Sequence, residues 1–283
     1  MSKKYPFSEL PLSDDFMFGE VMRRESICTL FLEELLRKKI DHIVVIDRQK
    51  DLTDSYVDHG IRLDVYLKDE AGTVYNIEMQ NVNNDKLEKR VRYYQSGIDR
   101  HQLEKATHYS ELKDSFVIFV CGFDYFGYGY SIYEREMSLK NIPGSTYCDG
   151  SHAYFLNSKY KTGNGTAAIL EFLQYLEKKD DDTEYQSELV KQVKDAVQDV
   201  RHDKSKEGQY MTLLMKLEDA RREGIQEGIQ EGIQEGIQEG RKEGEGAERK
   251  RIVRSMRETL SAAEIAKLLK LTENEIEDIL KSF

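Results

Sequence analysis

Residues 61–81 read IRLDVYLKDEAGTVYNIEMQN, and their alternation decides the fold. From 61 to 68, Ile61, Leu63, Val65 and Leu67 alternate with Arg62, Asp64, Tyr66 and Lys68. Successive strand side chains point to opposite faces, so the pattern predicts a β-strand with one apolar face. Asp69-Glu70-Ala71-Gly72 predicts a tight turn. From 74 to 81 the alternation resumes, with Tyr75, Ile77 and Met79 on one face and Asn76, Glu78 and Gln80 on the other. A hairpin must match its apolar faces, which brings Asp64, Glu78 and Gln80 to one polar face.

Before the hairpin, Phe16, Val21, Ile27, Leu30, Phe31 and Leu35 recur at helical spacing, predicting a helix over 14–39 capped by Asp14 or Asp15. Ile43 to Ile46 form a short β-like run. After the hairpin, residues 85–105 predict a charged helix with Leu87, Val91, Tyr94, Ile98 and Leu103 inward. The apolar run 116–123 predicts a buried strand, the tyrosine-rich 125–136 an extended pair, and Ala153 to Leu156 a last short strand. Helix, hairpin, helix and strand in this order predict an α/β domain with a mixed central sheet flanked by helices.

From about residue 163 onward the pattern is helical. Residues 224–239 are four copies of Gly-Ile-Gln-Glu. Four residues advance about 400° on a helix, so the isoleucine row drifts only ~40° per repeat and stays on one broad side. The repeat reads as a solvated helical linker, or as a self-association helix whose glycines permit close approach. Ser261-Ala-Ala-Glu264 and Thr272-Glu-Asn-Glu275 are capping-box patterns that predict two short helices. Their spacing resembles a helix-turn-helix, but Glu273, Glu275, Glu277 and Asp278 on the second helix would repel phosphate. Packing or dimerisation suits this tail better. The expected divisions are a core at 1–160, a helical extension at 161–222, the repeat at 223–246 and the tail at 247–283.

Composition bounds the function. The chain of 283 residues is 39% hydrophobic and 34% charged, with a net charge of −11. A protein that coats nucleic acid by charge alone is usually basic, so contact with DNA needs a local basic patch or a bridging metal. From 223 to 246 seven glutamates face Arg241 and Lys242, so much of the acidity sits away from the core. Three cysteines, Cys28, Cys121 and Cys148, lie far apart with no CxxC, which argues against a disulfide framework or zinc site. The opening residues lack a signal peptide's apolar stretch, and the longest apolar run, Phe116 to Cys121, is far too short to span a bilayer. The expectation is a soluble cytoplasmic protein with no membrane partner.

Two carboxylates on one hairpin face repel unless a cation sits between them. Hard oxygen ligands of this kind suit Mg²⁺ or Mn²⁺, which accept phosphate oxygens and lower the pKa of a bound water. On spacing alone, the same face is also the ordinary solvent-facing side of a half-exposed hairpin. The helix at 85–105 carries Arg90, Arg92 and Tyr93. Over 85–113, seven Lys and Arg face five Asp and Glu, a basic stretch in an acidic chain. These side chains suit the DNA backbone, or else surface ion pairs with Glu88 and its neighbours. His59 is a weaker candidate for a phosphate or metal contact.

RLDVYLKDEAGTVYNIEMQ, an Asp followed after 13 residues by Glu-x-Gln, resembles the PD-(D/E)XK nuclease pattern in its Glu-x-Gln form. SDDFMFGEVM resembles an opening helix of the same group, and RVRYYQSGIDRHQ the Arg- and Tyr-rich helix after its hairpin. With the GIQEG repeats and terminal helices, the chain resembles the Rpn family of bacterial recombination-promoting nucleases and transposases from about residue 13 to its end. The resemblance implies a restriction-endonuclease-like core with a helical C-terminal extension. It implies a Mg²⁺-dependent DNA endonuclease acting in recombination, transposition or phage defence, with Asp64 and Glu78 as metal ligands. Gln80 stands where the wider superfamily usually has Lys, so a catalytically weak scaffold that binds DNA or protein is the alternative. Glu20 matches a further metal ligand of some superfamily members, or is a solvated helix residue. DNA is the implied partner, together with a second copy of the chain through the C-terminal tail.

Overall fold

The computed structural model describes residues 5–51, 62–83, 86–103, 108–178 and 183–281. His59 and Ile61 lie outside the described residues. The chain divides into two compact units, residues 1–210 and 211–283.

In the first unit, α1 (Asp15–Met22) starts at Asp14, whose carboxylate accepts from Phe16 N and Met17 N. The single helix expected over 14–39 is two, α1 and α2 (Glu25–Leu36). The break has a tertiary cause. Arg24, in extended conformation between them, reaches Asp199 at 2.8 Å and the carbonyl of Ala196.

The sheet follows with β1 (Ile43–Asp51), β2 (Arg62–Asp69) and β3 (Val74–Gln80). Then come α3 (Leu87–Gln102), β4 (Ser115–Cys121), β5 (Ile132–Glu134) and β6 (Ser151–Asn157). The strand order is β1-β2-β3-β4-β6-β5, with β3, β4 and β6 parallel and the other neighbours antiparallel. The hairpin is as expected: Val65 pairs with Ile77 and Leu67 with Tyr75, which keeps the apolar sets together. In the turn Gly72 takes φ +88°, where any Cβ would also press on Lys113. The buried Asp69 carboxylate ties it, accepting from Thr73 N and the Tyr75 hydroxyl.

The extended pair expected over 125–136 reduces to β5. Asp124 folds the preceding stretch into a loop by accepting from Gly127 N and Gly129 N, both glycines at positive φ. Helix α3 lies across the face bearing Glu78. Its Leu87, Val91, Tyr94 and Ile98 form one buried cluster with Tyr66, Val117, Phe119 and Phe155. The Asn76–Glu78 side of the hairpin is therefore covered, not solvated.

Helices α4 (Ala167–Lys178) and α5 (Glu188–His202) pack with α1 and α2, with Phe31 against Phe172 at 5.1 Å between ring centres. α6 (Lys204–Arg257) is one helix of 54 residues, whose first turns belong to this unit: Tyr210 packs on Phe7 and Phe16.

In the second unit the Gly-Ile-Gln-Glu repeat is helical throughout within α6, with Ile225, Ile229, Ile233 and Ile237 all exposed. α7 (Ala262–Leu269) and α8 (Glu273–Lys281) both carry the expected capping box, at Ser261–Glu264 and Thr272–Glu275. They pack as a pair, and also on Val253 and Met256 of α6, around Ile265, Ala266 and Ile276. Among the described residues, no helix is long and apolar enough to cross a membrane. The cysteines are free, Cys28 and Cys121 buried and Cys148 exposed.

Candidate active site

The last ladder pair of the hairpin is Val65–Ile77. One step further, side chains take over from main chain. The Asp64 N–H donates to Glu78 Oε1 at 3.0 Å, and the Met79 N–H donates to Asp64 Oδ2 at 3.3 Å. Each carboxylate is thus fixed by the strand that carries the other. Such a link leaves little rotamer freedom, which is what a preorganised ligand pair needs.

Glu78 is 2% exposed, and four donors surround it. Oε1 also accepts from Asn76 Nδ2 at 3.0 Å; Oε2 accepts from Arg90 at 3.1 Å and from the Tyr94 hydroxyl at 3.4 Å. Burial, and then the charge of Asp64, push the Glu78 carboxyl up to about 8, against the pull of the Asp64 N–H, Asn76 and Arg90. One guanidinium beside two carboxylates does not balance them. Burial and the Glu78 charge likewise push the Tyr94 hydroxyl up to about 12.

Arg90 joins the site from α3. Besides Glu78, it reaches Gln80 Oε1 at 2.7 Å and the Tyr94 hydroxyl at 2.6 Å. Its guanidinium carbon lies 5.2 Å from the Tyr94 ring centre and 5.1 Å from that of Phe119. The amide of Gln80 is oriented at both ends, since its nitrogen donates to the Val82 carbonyl at 2.7 Å.

The structure brings Asp64, Glu78, Gln80 and Arg90 together. Arg92 is exposed, and positions two apart on a helix do not face each other, so Arg90 and Arg92 address different surroundings. Tyr93 is 43% exposed. Glu20 is not a solvated residue. It is 3% exposed and paired with Lys206 at 2.8 Å and Arg23 at 3.5 Å, because the start of α6 brings Lys206 to α1. Among the described residues, no three of His, Cys, Asp and Glu form a group that could hold a metal ion. Asn76 and Tyr94 do not stand out in the sequence as site residues. The signals are their places: Asn76 two before Glu78 on one strand face, and Tyr94 one helical turn after Arg90.

The donor set fits a hard divalent cation. Every candidate ligand atom is an oxygen, and the carboxylates outnumber the guanidinium. The buried Asn76 Oδ1 beside them has no hydrogen-bond partner.

A family model described as PD-(D/E)XK nuclease family transposase matches residues 15–226, most of the chain. The chain belongs to this family. No curated protein and no solved structure matches it. As a PD-(D/E)XK nuclease family transposase it carries the expected mixed sheet flanked by helices, with the Asp64–Glu78 pair at the fork of the hairpin. Family membership gives a nuclease-like function, and PD-(D/E)XK nucleases generally use divalent metal ions.

Proposed function

We propose that the protein is a Mg²⁺- or Mn²⁺-dependent DNA endonuclease that hydrolyses phosphodiester bonds in recombination, transposition or phage defence. The observation that carries this reading is the reciprocal tie between Asp64 and Glu78, with a Glu78 carboxyl whose charge is not fully compensated. Asp64 and Glu78 would hold the cation. When bound, it would polarise a phosphate and acidify a water. Arg90 holds Glu78 and Gln80 in place and keeps a positive charge beside the reacting phosphate. Gln80, neutral, presents hydrogen bonds only. Exposed Arg92 and Tyr93 would contact the DNA backbone beyond the site.

The test is plasmid nicking by the full chain in Mg²⁺ or Mn²⁺, compared with Asp64→Ala. Nicking that the variant abolishes is expected; none above the variant in either metal would sink the proposal. A second reading, a scaffold that binds DNA or protein without cutting, draws on Gln80 and on Arg90 and Tyr94 occupying Glu78 Oε2. Calorimetric titration with Mn²⁺ separates the two. Heat lost in Glu78→Ala supports the enzyme, and no metal binding supports the scaffold.

A further inference from the structure

The sheet register places Glu78 in one transverse row with Phe119, Phe155 and Tyr133, on β3, β4, β6 and β5 in turn. Neighbouring strands lie about 4.8 Å apart, so Phe155 is roughly 10 Å from Glu78 along the row, with Phe119 between. Over Phe155 and Tyr133 the fold leaves a cavity of about 240 Å³, whose lining includes Val91 of α3 and Phe126 of the loop before β5. Its aromatic walls are fixed by one another. Phe126 meets Phe155 edge-on at 5.1 Å and Tyr133 at 4.9 Å between ring centres.

The volume is below the ~300–1,000 Å³ of drug-sized pockets and suits a single planar ring system. Polar groups stand at its lining. Arg135 is held by Gln95 and by Ser151, yet its buried Nε has no hydrogen-bond partner. Glu88, whose carboxylate accepts from the Tyr125 hydroxyl, keeps acceptor capacity for an exocyclic amine. Aromatic walls with a carboxylate acceptor at the lining describe a site for a nucleobase that carries an exocyclic amine. The distance along the row is of the order separating a strand's phosphate from a base one or two nucleotides away.

We propose that this cavity takes one unstacked nucleobase of the strand whose phosphate lies at Asp64 and Glu78. The proposal rests on the nuclease reading for the identity of that strand. The base lies flat on one of the two perpendicular rings of Phe126 and Phe155 and meets the other at its edge, so the site would favour single-stranded or distorted DNA.

The experiment uses the full chain at low salt with Ca²⁺, a hard oxygen-ligated cation, in place of Mg²⁺ or Mn²⁺. Fluorescence anisotropy compares a 12-nucleotide strand abasic throughout (about the length that spans the site and its flanks) with the same strand carrying one central adenine. Phosphate charge is identical, so only the base differs. Stacking of one base contributes about 1–3 kcal/mol, which predicts about 5- to 150-fold tighter binding of the base-bearing strand. Phe126→Ala should bring the ratio close to one without changing affinity for the abasic strand. Phe126→Leu, which keeps apolar bulk but loses the ring, should lower it. A ratio near one in the unaltered protein, an unchanged ratio in both variants, or no binding of either strand overturns the proposal. The plasmid assay reads separately. Nicking with a ratio of one removes the base site and leaves the nuclease; a high ratio without nicking does the reverse.

Discussion

The guanidinium of Arg90 stands 2.7 Å from the side-chain oxygen of Gln80 while also holding Glu78 at 3.1 Å. The position that commonly bears Lys in this superfamily is thus neutral, and the positive charge reaches it from the neighbouring helix. Two separate N–H groups of one planar fork are used, a geometry an ammonium cannot copy. Arg90→Ala is expected to reduce nicking at least a hundredfold and to lower the melting temperature, because it removes the hydrogen bonds that hold the buried Glu78 and Gln80. Arg90→Lys should recover the melting temperature partly and the activity little. Full activity in Arg90→Lys would show that charge alone is required.

The raised Glu78 carboxyl makes stability depend on pH. Below its ordinary value of 4.5 the group is protonated folded or unfolded; from there to about 8 only the folded chain holds the proton. The proton therefore stabilises the fold at the acid end, and this stabilisation is lost as pH rises through about 8. A tenfold gain in proton affinity is worth ~1.4 kcal/mol, so the effect amounts to a few kcal/mol. Thermal melts in EDTA from pH 5 to 9 should fall with pH, and Glu78→Gln should flatten the slope. A divalent cation must displace that proton, so Mn²⁺ should bind more tightly as pH approaches 8. The heat should vary with buffer ionisation enthalpy, and a buffer-independent heat would contradict proton release.

The hairpin was legible because a period of two over 61–81 fixes which side chains share a face, and the short turn at Asp69–Gly72 fixes the register that sets Asp64 beside Glu78. The burial of this face was not legible. Alternation says which side chains share a face, but not that Leu87, Val91 and Tyr94 will come from another part of the chain to cover it. The same holds for Arg90, which reads as a surface cation in the sequence and folds inward because Glu78 and Gln80 lie beneath it. Glu20 escapes local reading for a similar reason: its partner Lys206 is 186 positions away. The break between α1 and α2 has no Pro or Gly to mark it, only Arg24 reaching Asp199. By contrast, both capping boxes near the C-terminus are local patterns and formed as written.

Asn76 should act as a positioning residue. Its nitrogen holds Glu78 Oε1 while its own oxygen is buried without a partner. Replacing it by Ala removes an orphaned acceptor but frees Glu78, so stability should change little, by about 1 kcal/mol in either direction. Metal affinity should fall by about 10- to 100-fold, the usual cost of losing a group that orients a ligand. Calorimetry with Mn²⁺ would show it. A variant that binds metal as tightly as the parent would remove Asn76 from the site.

The glycines of the repeat give two opposed expectations within one helix. A Cβ added at Gly228, Gly232 or Gly236 meets nothing within 4 Å, and Ala is favoured over Gly in a helix by up to about 1 kcal/mol. In an isolated chain, Gly→Ala at these three positions should raise helix content and the stability of α6. We propose that the exposed row of Ile225, Ile229, Ile233 and Ile237 pairs with the same row of a second copy, the glycines allowing the backbones to approach. In that assembly an added methyl at each glycine would hold the helices apart. Sedimentation of the triple Gly→Ala variant should then show a weaker oligomer despite a more stable helix, and Ile229→Lys with Ile233→Lys should give monomer. An oligomeric state unchanged by both sets of substitutions would rule out the repeat as the contact and leave it a solvated spacer.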